Sequence, residues 1–465
     1  MATDNYTHDL EKNRSQDSES SSGSVASSQQ PLEPSSAKEK SIVHIASATW
    51  QTSSLSEDGL KDDASCPVPD GGWLAWSQVL AAHLINAMTW GYAATFGVYQ
   101  LYYVETLSLP SSQVSWIGSV QTFLTFAVCA LSGRLADAGH ARATAIVGCA
   151  LAVFGTFMTS LATRYWQLFL AQGVCTGIGL GIAFMPAVSV TSSYFDANRA
   201  FALSVAAVGS SVGSVIFPAV VQYLTPQIGF PWAVRCSAFV ALVVCILACA
   251  ILRPRVTPRA SAPWVEWAAF KEKPYVIFTV GSFLNFYAIY FGLFYINSFA
   301  RNVIGFSTTD SVTLLLITNA IGIPTRPFVG WIANRFFGPI NVFIVATAFV
   351  AAMFFSWTAV ASRGAMYAYS ALFGIAISAN QGTFVSALAS MTPDATKMGI
   401  RFGMVETLSS FATLAGPPTA GAIIDHSGGK YLWAQVWGGS VMAAAALVFC
   451  GSRISQTGWR WMVKI

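Results

Sequence analysis

The chain has 465 residues, of which 54% are apolar and only 10% charged, against about 25% charged in soluble domains. This excludes an ordinary soluble domain. The formal net charge is +4, but the first 70 residues hold five basic and twelve acidic side chains, while the remaining 395 hold twenty basic and nine acidic. Those basic residues punctuate long apolar stretches and do not cluster on one soluble element, which argues against nucleic-acid binding and makes the charge a record of membrane topology.

Residues 1–69 are rich in Ser, Gln, Asp, Glu and Lys. They hold too little apolar surface to offset the entropy of ordering, so a disordered cytoplasmic tail is expected. No apolar run follows the start, so no secretory signal is predicted and the first span serves as its own insertion signal. From Trp73 onward, apolar runs of bilayer-crossing length recur. They predict twelve spans at about 74–102, 112–133, 143–162, 165–191, 200–223, 231–252, 274–299, 311–333, 340–361, 365–390, 399–424 and 431–452. The one longer break sets the domains: a six-helix bundle at 70–252, a central cytoplasmic loop at 253–273, a second bundle at 274–453 and a tail at 454–465. The predicted fold is therefore an all-α membrane protein of twelve transmembrane helices in two six-helix pseudo-repeats. Alternating loops carry fourteen Lys or Arg on the side of the termini and four on the other. That bias predicts cytoplasmic termini. The plasma membrane is the expected residence, with the vacuole or another internal membrane as the alternative.

Seven of the eight cysteines fall inside apolar stretches, so no disulfide framework is expected. Cys245 and Cys249, one helical turn apart, read as small packing residues and not as metal ligands. Gly173, Gly177 and Gly181 in the fourth span read as a close helix contact and not as a phosphate loop. No cofactor is predicted.

Two motifs repeat between the halves. Gly133-Arg-Leu-Ala-Asp137 after the second span matches Gly330-Trp-Ile-Ala-Asn334-Arg335 after the eighth, 197 positions on. The fifth span opens with Arg199 and runs through Ser210, Ser211 and Gly213 to Pro218. The eleventh opens with Arg401, 202 positions later, and runs through Ser409, Ser410 and Gly416 to Pro417. Two equivalent halves with a site between them are the architecture of a secondary transporter.

The loop motifs resemble the Gly-x-x-x-Asp-Arg-x-Gly-Arg signature of the major facilitator superfamily, with Ala138 where the first Arg is expected and Asn334 replacing the second acid. Within that superfamily the chain resembles the monocarboxylate transporter family, and more closely its fungal branch. Pro69-Asp70-Gly71-Gly72-Trp73-Leu74-Ala75-Trp76 is similar to that family's Asp-Gly-Gly-Trp-Gly-Trp motif. Tyr194-Phe195-Asp196-Ala197-Asn198-Arg199-Ala200-Phe201-Ala202 is similar to its Tyr-Phe-x-x-Arg-Arg-x-Leu-Ala stretch, departing at Asn198 and Phe201. The resemblance implies a carrier whose family motifs, here Asp70, Gly71, Gly72, Trp73, Gly133, Asp137, Arg199, Gly330, Asn334 and Arg335, shape the gates. It also departs where animal lactate carriers have a first-helix Lys, since this chain reads Ala93-Ala94-Thr95, and Gly322 stands where they have an acid one turn before the eighth-helix Arg.

A charge inside the bilayer costs roughly 2.5–3.5 kcal/mol on insertion scales, so it should be paired or face water. Arg326 in the eighth span is the strongest candidate for contact with substrate. Pro324 and Pro327 loosen the helix around it, which suits a cavity wall, and its fork of donors suits a carboxylate. The resemblance implies the same, since the family's eighth-helix Arg contacts an anionic substrate. Glu406 is the only acid inside a predicted span and lies at a similar depth, so the two are expected to meet, with Glu406 as the coupling residue that takes a proton when separated from the Arg. A static pair is the competing reading. Asn86 and Trp90 on the first helix, and Tyr287, Tyr290, Phe294 and Asn297 on the seventh, form stripes expected to bind substrate. His83 reads as a packing residue. The partners predicted are a small-molecule substrate, protons if coupled, and the lipid bilayer. The function expected is secondary active transport of a monocarboxylate or related organic anion by alternating access. Its alternative is export of a bulkier fungal secondary metabolite, with a non-transporting receptor as a remote third. The absence of an H-E-x-x-H or G-x-S-x-G motif argues against an enzyme.

Overall fold

The computed structural model describes residues 69–255, 265–392, 394 and 397–459, and every regular element among them is helical. Almost all of the expected tail, residues 1–68, lies outside the described residues. Twelve helical stretches cross the bundle: α1 Gly72–Glu105, α2 111–135, α3 Ala141–Leu161, α4 Tyr165–Ser193, α5 Arg199–Ile228, α6 Phe230–Ile251, α7 Lys273–Asn302, α8 Asp310–Phe337, α9 Pro339–Trp357, α10 Arg363–Ser390, α11 Met398–His426 and α12 Leu432–Thr457.

Among the described residues, nine stretches are long and apolar enough to span a bilayer. One of these, Gln113–Leu161, contains both α2 and α3, which part at Gly139, a left-handed residue with φ 87°. The other two spans, α1 and α11, are 34 and 29 residues long but less apolar. They carry His83, Asn86 and Gln100, and Arg401, Glu406 and Asp425 respectively. Both turn polar side chains inward. The helices extend a few residues beyond the predicted runs, so Asp425 falls inside α11. Residues 454–457, assigned from sequence to the tail, continue α12. The cause is local: Ser452 Oγ donates to Pro274 O at 2.8 Å and the buried Arg453 Nε donates to Asn341 Oδ1 at 2.9 Å, and the turn ends only at Gly458, with φ 64°.

Connections alternate between two faces, a terminal face that carries both ends of the described chain and a distal face opposite. α1 packs along α5, α3 on α4, α7 on α12, and α9 on α10 and α12. Small residues permit the closest of these: a Cβ at Gly209 or Gly213 of α5 would overlap the carbonyl of His83 or Ala87 of α1. The halves meet along two seams, α2 with α11 and α5 with α8 and α10.

The two motifs that carry the family resemblance touch. Asp70, held at φ 48°, accepts backbone N–H donors from Asp196 at 2.6 Å and Asn198 at 3.3 Å, and Trp76 sets its ring edge-on to Phe195 and Phe201. The start of α1 therefore clamps the turn into α5. Arg199 completes that turn, donating to Phe195 O and Asp196 Oδ1. Gly72 takes a φ of 82°, and Trp73 is 90% exposed, which is expected of an interfacial anchor.

Candidate functional site

A cavity of about 630 Å³ lies between the halves. Its floor is polar, with Arg326 of α8, Asn380 and Gln381 of α10 and Glu406 of α11; its walls are aromatic, with Trp90, Phe184, Phe286, Tyr290 and Phe294. The lining continues to Gln100, Trp116, Ser298 and Asp425 near the distal helix ends. The cavity thus opens toward the distal face.

Arg326 is buried, 6% exposed. Helix α8 breaks its regular turn at Ile321, and Pro324 and Pro327 each withhold a backbone donor just beyond, freeing the helix to bend around the cavity. Gly382 lets the arginine stem pass α10, since a Cβ there would stand 3.1 Å from Arg326 Cγ. Nε donates to Ser211 Oγ of α5 at 3.0 Å and Nη2 to Gln381 Oε1 at 2.9 Å. Both acceptors are neutral, so the guanidinium is oriented without being neutralised.

The expected meeting with Glu406 is corrected: among the described residues no ion pair joins them. Equal depth put them on one floor but not on one wall, because α11 packs on α7 while α8 packs on α10. Glu406 is 2% exposed, lines the cavity, and its Oε2 has no hydrogen-bond partner.

Of the predicted stripes, Asn86, Trp90, Tyr290, Phe294 and Asn297 all line the cavity. Asn86 spends its amide on Ala82 O at 2.8 Å, and Trp90 stands edge-on to Phe126 and Phe184. Tyr287 does not line it. Its hydroxyl bonds Thr419 Oγ1 at 2.9 Å and its ring meets Trp437, because Phe286, about 100° back around the helix, takes the inward position. His83 lies 3.4 Å from Val205 O, in keeping with packing. The sequence reading missed Gln381, Asn380 and Ser211. Asn380 donates to Asn285 Oδ1 and Thr347 Oγ1. A detectable signal existed in the adjacent Asn380-Gln381 amides, which sit mid-span where polar side chains are costly.

On the terminal side the cavity is closed by both seams. Asp137 Oδ2 accepts the Ile400 N–H in the first turn of α11 at 2.8 Å, and Oδ1 accepts from Ser189 Oγ, a carboxylate placed at a helix N-terminus. Gly133 and Gly399 cross so closely that a Cβ on either would overlap the other helix of the seam, and Thr407 Oγ1 donates to Ala127 O at 2.9 Å. In the equivalent seam Asn334 Nδ2 donates to Asn198 Oδ1, Gly330 lies against Ser204, and Ser204 Oγ donates to Gly382 O. Asn334 thus exchanges one neutral bond where Asp137 supplies a charge. Arg335 is exposed on the same face.

A second terminal-face feature was not visible in sequence. Arg401, in the first turn of α11, bonds both Glu266 and Glu272 of the central loop, and Lys397 reaches Glu266 at 2.8 Å. Burial works against the Glu266 carboxylate, but the bonds from Arg401 and Lys397 outweigh it and hold its pKa below the ordinary glutamate value. A depressed carboxylate stabilises the fold above its unfolded pKa and loses that contribution as pH falls through the lower native one. Amide hydrogen exchange over 265–272, expressed relative to the intrinsic exchange rate at each pH, should therefore be flat near neutrality and rise as pH drops from about 4.3. Arg401→Gln should raise it at neutral pH.

A bundle of two helical repeats around one cavity, polar at its floor, sealed on one face and open on the other, is built for alternating access. The description of the Major Facilitator Superfamily matches residues 79–398. The chain is 39% identical over 391 residues to an MFS-type transporter of Gibberella zeae, spanning 83% of this chain and 88% of that one. It is 34% identical over 430 residues to the aspyridones efflux protein apdF of Emericella nidulans, spanning 91% and 84%. The human organic anion transporter MFSD10 (TETRAN) shares the fold, with a TM-score of 0.66 at 13% identity over 81% of this chain and 99% of that one. The chain belongs to the Major Facilitator Superfamily and is one of its membrane transporters.

Proposed function

We propose that this transporter exports an organic anion bulkier than a simple monocarboxylate, bound through its acidic group at Arg326, and that it belongs to the fungal monocarboxylate-porter branch. The observation that carries the reading is a buried guanidinium on the cavity floor, oriented by two neutral acceptors and left with its charge available. The cavity volume of about 630 Å³ falls in the range of sites for drug-sized ligands, which are lined mainly by apolar and aromatic groups. Export is supported by the efflux protein among its relatives. The asymmetry of Lys and Arg supports cytoplasmic termini, so that the cavity faces away from the cytosol. Glu406 is the proposed coupling residue.

Proteoliposomes preloaded with labelled 2-naphthoate or lactate test this. Saturable naphthoate exchange, uninhibited by excess lactate, is expected; preferential lactate movement would return the reading to a small monocarboxylate, and movement of organic cations alone would overturn it. Glu406→Gln should keep exchange but lose accumulation driven by a pH gradient, and undiminished accumulation removes Glu406 from coupling.

A further inference from the structure

The buried charge in this cavity comes from one half of the molecule, and a third charged group of that half, Asp425, stands exposed in the lining near the distal end of α11. Arg326 on α8 and Glu406 on α11 line the same cavity, each at least nine-tenths buried, without an ion pair between them among the described residues. Polar groups of α7 and α10 line the cavity with them: Tyr290, and the Asn380 amide, whose Oδ1 has no partner. The facing half offers Asn86, Ser119, Thr122, Ser210 and Ser214, all neutral. A buried carboxylate oxygen with no donor is a recognition element awaiting one, since leaving it unmet is costly.

We propose that Glu406 forms a second binding pole, which accepts a hydrogen bond from a hydroxyl, N–H or ammonium group of the substrate while Arg326 holds its acidic group. The substrate class is thereby narrowed to organic anions that carry a hydrogen-bond donor at the far side of an apolar, aromatic-compatible body, which packs on Trp90, Phe184, Phe286 and Tyr290. This rests on the anion reading for Arg326, but it can fail alone.

Binding of matched probes to the purified full chain in nanodiscs, read by isothermal titration calorimetry, tests it. The probes are 2-naphthoate, 6-hydroxy-2-naphthoate and 6-methoxy-2-naphthoate, with 4-biphenylcarboxylate and its 4′-hydroxy and 4′-methoxy forms as a longer set. In at least one set the hydroxyl compound should bind roughly tenfold or more tighter than its methyl ether, the scale of a charge-assisted hydrogen bond. Glu406→Met should erase that advantage, and Glu406→Gln, which keeps shape and an acceptor, should reduce it. An advantage absent from both sets, or preserved in Glu406→Met, overturns the second pole. If the advantage is absent and Glu406 variants alter only pH-driven accumulation, the carboxylate is a proton site only. Loss of the anion reading looks different: Arg326→Ala would then leave all six affinities unchanged. Failure of every probe to bind sinks both.

Discussion

Arg326→Ala is expected to abolish transport of 2-naphthoate while the protein still folds, reaches the membrane and melts at or above the wild-type temperature. A buried arginine paired with an acid would behave otherwise, because removing one partner strands the other charge at a cost of about 3–5 kcal/mol. Here the partners are Ser211 and Gln381. Removal takes an uncompensated charge out of a low-dielectric site and leaves two neutral acceptors facing a cavity that water can enter. Arg326→Lys separates charge from geometry. It keeps the cation but loses the planar fork, so affinity should fall by the roughly 1.5–3 kcal/mol of a charge-assisted bond, about 10- to 150-fold. Measured transport, surface expression and melting temperature together check the claim. A parallel collapse of yield in both variants would mean that Arg326 holds the fold and not the substrate.

Gly399→Val should trap the transporter with its terminal face unable to close. A Cβ at Gly399 would overlap the Asp137 carboxylate and press on Gly133 O at 2.7 Å, so the obstruction includes backbone and cannot be relieved by rotating a side chain. Overpacking of this kind costs about 1–3 kcal/mol. In a two-state carrier that penalty falls on the state with the closed seam alone, which shifts the population roughly 5- to 150-fold toward the other. Transport should drop, by no more than that shift, and labelling of the cavity from the distal face should fall with it. Gly97→Ala is the control, because that glycine lines the same cavity with nothing within 4 Å of a Cβ. It should leave the distribution of states unchanged.

The fold was largely legible because bilayer solvent imposes a strong rule: each crossing needs a long apolar helix. The twelve predicted runs fall on the twelve helices, and the errors are short extensions where a helix runs past its apolar core, as α12 does around the buried Arg453. Even the two less apolar spans, α1 and α11, stand out as long runs between short polar breaks. Arg326 was legible for the same reason, since a charge within an apolar run demands an explanation. Its partners were not. Ser211 lies 115 positions away in the chain and Gln381 lies 55, and only packing of the halves brings them together. The stripe on α7 shows a different limit. A three- and four-residue spacing marks one side of a helix but does not say where its edges fall, so Tyr287 was grouped with Tyr290 although the inward face is centred nearer Phe286. Glu266 and Glu272 lie in the central loop, far from Arg401 in sequence, and only the structure shows that Arg401 gathers them at the start of α11.

On the proposed function, the cavity holding Arg326 is the substrate's route and opens on the distal face. Labelling of Asn319→Cys with a membrane-impermeant maleimide tests it most directly, since Asn319 lines the cavity on the same helix as Arg326 and the reactive native thiols can be replaced beforehand. Reaction from outside intact cells is expected, with protection by saturating 2-naphthoate and loss of that protection in the Arg326→Ala background. Reaction only from the terminal face, or protection that persists without Arg326, would contradict it.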